Sequence, residues 1–413
     1  MKPALYHTNV GSMRALSPSN FLFALATAIL LSACGGGGGA ETKTGVGGTG
    51  DPTPPADALT ASGPLSTIGV AGIAATGLDD RASAIFINTQ GGQSFNALKL
   101  GMVAEVAGTI PTNATSTTSG TATNINVQSA VVGTISAVDI TNTRLSVAPL
   151  TVQVDQNTLF EGSSSFTTMS VGNRVEVYGT PQAESKTILA TRIILLPSAA
   201  TAAIELLGIA TNVTPFQFSI QGVSVSTAGV SSVITPTGTV PGTTSIVENT
   251  RVRVLGTYLA NGNSISANQI IAAIPATRAD NAILVLDGIV QSLGTNGRFR
   301  LNDTDVETTA ANAATVTVGS RVQVKGRKTA GVLIATDFRR IATGERIQFV
   351  VQGDIANLVS TANFTVRGET INASSATFIG GSAANLVNGR TVRIKAQAIA
   401  GHLEAIEVSF VIG

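Results

Sequence analysis

The chain has no tryptophan, one cysteine and two histidines in 413 residues, and aromatic side chains make up only 4% of it. A single cysteine excludes an internal disulfide framework. A zinc site would lack its usual nitrogen and sulfur ligands, and a Ser–His–Asp or Cys–His site would have to rest on one of two imidazoles. Aromatic poverty removes the stacking platforms used for single-stranded nucleic acid. Charge is sparse as well: 12% of residues carry it, and 25 basic side chains face 24 acidic ones, which is no field for a polyanion. Val, Ile, Thr, Ala and Gly fill the remainder, with no long run of helix formers at helical spacing, and that is a strand composition. Stability must come from packed cores, and this length predicts several of them.

The first 33 residues have the order of a secretory signal. Lys2 and Arg14 are their only charges, and an apolar run from Phe21 to Leu31 follows. At 11 residues that run falls short of the roughly 20 needed to span a bilayer. Met13-Arg14 offers an alternative start to Met1. Leu31, Ser32 and Ala33 then precede Cys34, the only thiol. These residues resemble the signal-peptidase site of bacterial lipoproteins. The resemblance implies cleavage before Cys34, lipidation of its thiol and membrane anchoring. Gly35 stands where such lipoproteins carry Asp for inner-membrane retention, which points to the outer membrane. Loss of Lys2 and Arg14 leaves 23 basic against 24 acidic residues, and nucleic acid is not an expected partner.

Residues 34–64 are mostly Gly, Thr, Pro, Ala and Ser and read as a flexible tether. Gly45, Gly47 and Gly50 fit a dinucleotide fingerprint but lack the strand and helix that would give it meaning. Lys43-Thr44-Gly45 matches one element of penicillin-recognising enzymes, yet no S-x-x-K supplies the nucleophile. No cofactor is expected.

One phrase recurs five times: Gly, two residues, an apolar, one residue, an apolar, one residue, Gly. It runs over 101–108, 172–179 and 319–326, with variants at 249–256 (Asn249 leading) and 389–396 (Ala396 closing). The apolar pairs, such as Val175 with Val177 and Val322 with Val324, point to one side of a strand as core, and Glu176, Arg253, Gln323 and Arg393 point to the other, towards water. Each phrase follows an opening strand with a glycine (Gly72, Gly133, Gly208, Gly288, Gly353) and precedes a closing strand such as Ala190-Thr-Arg-Ile193. The opening glycine suits a bulge or bend that lets one strand serve both halves of a small closed barrel. The chain is therefore read as all-β, with tandem OB-like barrels at 65–128, 129–198, 201–275, 281–342 and 346–413.

This repeat, with the lipidation signal, resembles a bacterial family known as domain of unknown function 5666. The resemblance covers about residues 65–413 and implies a small barrel-like domain with no assigned activity.

Candidate chemistry is thin. His402 sits beside Gly401 in an expected hairpin turn. Asp79-Asp80 and Asp303 with Asp305 are acidic pairs of the kind that could hold calcium or hydrolyse a glycoside, and both lie where turns are expected, which makes turn chemistry the better reading. Phe216, Phe218, Phe299 and Phe364 read as core. Arg327 and Lys328 with Arg339 and Arg340 form a candidate anion-binding rim on the fourth unit. The expectation is a lipid-anchored cell-envelope protein, without metal or catalysis, whose five units act as a structural or binding array for an envelope polymer or protein. Weak sites on a string would gain by effective concentration. The competing reading is a carboxylate-dependent hydrolase of envelope glycans or a calcium-assisted glycan binder.

Overall fold

The computed structural model describes residues 56–69, 72–75, 87–89, 98–111, 120–127, 129–163, 165–182, 186–197, 201–235, 237–273 and 280–411. The lipidation signal at Leu31–Cys34, most of the expected tether and Asp79-Asp80 lie outside them.

The described residues form five small barrels. Barrel 1 contains β1 (Ala56–Gly69), β2 (Gly72–Ala75), β3 (Ile87–Thr89), β4 (Val103–Pro111) and β5 (Gly120–Val127). Barrel 2 contains β6 (Val131–Asp139), β7 (Arg144–Val147), β8 (Leu150–Gln153), a short β9 (Leu159–Glu161), β10 (Arg174–Pro181) and β11 (Thr187–Leu196). Barrel 3 contains β12 (Ala203–Thr211), β13 (Gln217–Ile220), β14 (Val223–Ser226), the added pair β15 (Ser232–Thr235) and β16 (Gly238–Pro241), then β17 (Arg251–Leu259) and β18 (Ser264–Ala273). Barrel 4 contains β19 (Ile283–Leu293), β20 (Arg298–Leu301), β21 (Thr304–Glu307), β22 (Arg321–Thr329) and β23 (Val332–Arg340). Barrel 5 contains β24 (Gln348–Ser360), β25 (Asn363–Val366), β26 (Glu369–Asn372), β27 (Thr377–Ile379), β28 (Thr391–Ile399) and β29 (His402–Phe410).

Each barrel closes in one cyclic order. In barrel 2, β6 pairs with β7, β7 with β8, β8 with β11 in parallel, β11 with β10, and β10 again with β6. The other four repeat this ring of five principal strands. Closure leaves no principal strand with an unpaired edge. The repeated valines line the interiors: Val175, Val177, Val252, Val254, Val322, Val324, Val392 and Ile394 are all buried.

Register shows why the opening strand carries glycine. Gly133 lies opposite Val175, Gly208 opposite Val252, Gly288 opposite Val322 and Gly353 opposite Val392. A side chain there would collide with the second strand as it crosses over: an added Cβ at Gly133 would lie 2.7 Å from Val147. The bulge itself falls further on, between Ile135 and Ala137 in barrel 2 and between Val290 and Ser292 in barrel 4. In barrel 1 the residue opposite Ala104 is Gly63. The opening glycine of the first unit is therefore Gly63 and not Gly72, and its strand β1 starts at Ala56, inside the stretch read as tether. Leu59 and Ala61 alternate into the core there, a pattern that small neighbouring residues conceal in the sequence.

A second device recurs six positions before the first repeated valine. Met169, Ile246, Val316 and Leu386 are buried there, and Leu98 packs against the core at the same place in barrel 1. In barrels 2, 4 and 5 a single helical turn (Phe166–Thr168, Ala310–Ala313, Ala383–Asn385) precedes this residue. Apolar side chains thus plug the end of each barrel.

The barrels do not hang as separate beads. Strand β1 pairs in parallel with β19 and with β24, joining barrel 1 to barrels 4 and 5 in one 16-stranded sheet. Antiparallel pairing of β6 with β12 joins barrels 2 and 3 in a 13-stranded sheet. Barrels 1 and 5 share a core, barrels 2 and 3 share another, and barrel 4 has its own.

Candidate functional site

The residues singled out from the sequence do not converge. Strands β22 and β23 run antiparallel, with Arg327 opposite Ile334 and Val322 opposite Arg340. The pair Arg327 and Lys328 therefore lies near one end of the ladder and Arg339 and Arg340 at the other, and the single rim expected for them is not formed. Arg327 is also taken up by Asp57 of β1 at 2.7 Å, and Arg339 by Glu345. Asp303 lies in the turn between β20 and β21, whereas Asp305, expected in a turn, lies within β21 and pairs with Arg300 at 3.3 Å. His402 begins β29 directly after the Ala400-Gly401 turn. Phe218, Phe299 and Phe364 are core, whereas Phe216 precedes β13 and is 76% exposed. Among the described residues no group of three or more His, Cys, Asp or Glu is placed to hold a metal ion, and no helix is long and apolar enough to cross a membrane.

The expected water-facing side of the Val-x-Val strands is only partly wet, because neighbouring barrels cover it. Gln323 is 1% exposed and donates to Asp287 Oδ2 at 3.0 Å. Arg321 closes a two-pronged pair on the same carboxylate, Nε to Oδ1 at 2.9 Å and Nη2 to Oδ2 at 3.0 Å. Burial pushes the Arg321 guanidinium down, but the charge and hydrogen bonds of Asp287, with the charges of Asp155 and Glu345, together outweigh this and hold it above its ordinary value. Both oxygens of Asp287 are thus committed to neutralising a cation.

Asp287 lies in the wall of a cavity of about 620 Å³, which opens between barrels 1 to 4. That volume falls in the range of about 300–1,000 Å³ typical of ligand sites. Apolar surface comes from Val103, Ala130, Pro181, Leu207 and Ile209. Six carboxamides also line it: Gln182, Asn212, Gln221, Asn249, Gln291 and Asn302. Gln291 donates to the Pro181 and Ile289 carbonyls, both at 3.1 Å, and so straps barrel 4 to barrel 2. Gln221 Oε1 is buried without a hydrogen-bond partner. Arg251 and Arg300, the cations of the lining, are paired with Glu105 at 3.6 Å and Asp305 at 3.3 Å. The cleft therefore offers neutral donors and acceptors beside aliphatic surface, with its positive charges already compensated.

Sequence reasoning missed the cleft because four repeats build it together. Asn212, Gln221, Asn249 and Asn302 have left-handed backbones, so each also has a local reason to be there that says nothing of a shared wall.

Three segments, residues 132–194, 287–337 and 352–409, match a family described as a domain of unknown function (DUF5666). They fall in barrels 2, 4 and 5, while barrels 1 and 3 share the same cyclic strand order. No curated protein matches the chain.

Proposed function

We propose that this chain, which carries repeats of the DUF5666 domain, is a lipid-anchored protein of the bacterial cell envelope whose barrels form a non-catalytic binding body. The observation that carries the reading is the cleft: four barrels enclose about 620 Å³ between carboxamides and aliphatic side chains. Its one deeply buried carboxylate, Asp287, is held by Arg321 and Gln323, which leaves it no part as an acid or base. Anchoring rests on Leu31-Ser32-Ala33-Cys34 after an 11-residue apolar run, and Gly35 favours the outer membrane.

The test is co-sedimentation of the full-length protein with peptidoglycan, outer-membrane vesicles and lipopolysaccharide, beside Ser292→Trp, which places an indole in the cleft. Retention by one fraction that falls in the variant supports the reading. Retention that the indole leaves unchanged, or none on any fraction, counts against the cleft. Cys34→Ala should move the protein out of the membrane fraction, and a variant that stays there overturns the anchor.

A further inference from the structure

Resting on the reading of the cleft as the binding site, we infer that its ligand is an uncharged, extended polypeptide segment of a partner protein. A carboxamide presents one acceptor oxygen and an N–H donor in a plane, the pattern that a peptide unit presents in return. Six of them line the cleft. The side chains of Gln182 and Asn302 make no hydrogen bond to another described residue and are carboxamides left for a ligand. Ser62, Thr180, Thr211 and Ser292 add hydroxyls.

The apolar lining selects among neutral ligands. Val103, Ala130, Pro181, Leu207 and Ile209 are aliphatic and no aromatic ring lines the cavity. Aliphatic side chains of a peptide can pack there, whereas a pyranose or a nucleobase would find no ring to stack on. Charged ligands are disfavoured because Arg251, Arg300 and Asp287 each have a counter-charge, and Asp303, the other acidic side chain of the lining, already accepts from the Thr304 hydroxyl at 3.1 Å. A charged side chain entering would lose hydration without gaining a free partner. Closure of the barrels directs recognition to side chains, since their principal strands offer no edge for strand addition.

The experiment is calorimetric titration of the full-length protein in detergent with four probes. These are a blocked octapeptide of Ala, Val, Ser and Thr, the same peptide with alternate Glu, the same with alternate Lys, and chitotetraose. The proposal expects the neutral peptide to bind, with an affinity that changes less than about twofold between low and moderate salt. Gln182→Ala with Asn302→Gly should weaken it by about tenfold or more. Glycine retains the left-handed backbone at 302, and an unchanged melting temperature certifies the fold. Binding only of a charged peptide, strong salt dependence, or binding of chitotetraose in place of the neutral peptide overturns the inference. If no probe binds while the double variant still loses envelope retention, the ligand assignment fails and the cleft stands. If envelope retention is unaffected by the double variant and by Ser292→Trp, the cleft itself fails.

Discussion

Arg192 of barrel 2 and Glu369 of barrel 5 meet across 177 residues of sequence, Nη1 lying 3.1 Å from Oε1 and 3.2 Å from Oε2. Both side chains are almost wholly buried, at 2% and 7% exposure. The same guanidinium reaches Glu161 Oε2 at 2.6 Å and the Leu100 carbonyl of barrel 1 at 2.9 Å. Glu369 also accepts from the Leu100 amide at 2.8 Å, and Lys99 pairs with Glu161 at 2.7 Å. Three barrels are thereby joined at one buried cation. A buried pair adds little stability over a well-packed apolar substitute, but removing one partner strands the other. Arg192→Met is expected to cost about 3–5 kcal/mol in urea denaturation. Adding Glu369→Gln should recover part of the loss, because the stranded carboxylate is then gone. Equal destabilisation by the single and the double variant would argue against the ion pair as the cause.

The same junction sets a pH response. Burial pushes the Glu161 carboxyl up, but hydrogen bonds from Lys99 and Arg192 outweigh it and hold the group below its ordinary value. Its contribution is therefore complete above the unfolded carboxyl range, about pH 4.5, and is lost as pH falls through the lower folded value. Glu205 runs the other way: burial dominates over the Arg253 charge and raises it. Its folded form binds protons more readily than the unfolded chain, so acidification favours the fold there. Melting temperatures measured from pH 7 to pH 3 should fall less steeply in Glu161→Gln than in wild type, and more steeply in Glu205→Gln.

The ring within each barrel was legible because it repeats: Val322 and Val324 in barrel 4 and Val392 and Ile394 in barrel 5 announce one inward face at one spacing. What stayed hidden is set between repeats. Arg192 reads as an ordinary outward position of a closing strand, and nothing near it in sequence announces Glu369. Gln182 and Asn302 belong to different barrels and become neighbours of one cleft only once the barrels are docked. The first opening strand was misplaced for a local reason: Thr60, Ser62 and Gly63 look like linker, and only pairing with β4 and β19 reveals Leu59 and Ala61 as core.

The closing position of the repeated phrase makes a finer contrast. Gly108, Gly179, Gly256 and Gly326 each sit at a register shift between the fourth and fifth strands, and Ala396 occupies the same shift in barrel 5. The departure at Ala396 thus leaves the bulge in place. At Gly326 an added Cβ would meet the Ile334 carbonyl and the Ala335 backbone, atoms that cannot rotate away. Gly326→Ala should destabilise barrel 4 by about 1–3 kcal/mol. Ala396→Gly should cost only about 0.5–1 kcal/mol through backbone entropy. Urea titration of both variants checks the order, and equal losses would mean that barrel 5 has no special room for the methyl.

Strand β1 is both the wall of one barrel and the seam to two others. It pairs with β4 over Ala56 to Pro64, with β19 over Leu59 to Ser62, and with β24 at Thr67 and Ile68. Asp57 on it neutralises Arg327 of barrel 4. A chain beginning at Thr53 should keep the melting temperature of the full chain, since Thr53–Gly413 forms one compact unit. A chain beginning at Leu65 loses the strand that closes barrel 1 against β4 and leaves one side of β19 unpaired. Such edges invite aggregation. The expected result is rapid proteolysis within residues 98–127 and faster amide exchange in β19, with barrels 2 and 3 still protected by their own shared core. Equal protection in the two truncated chains would show that residues 56–64 serve as tether after all.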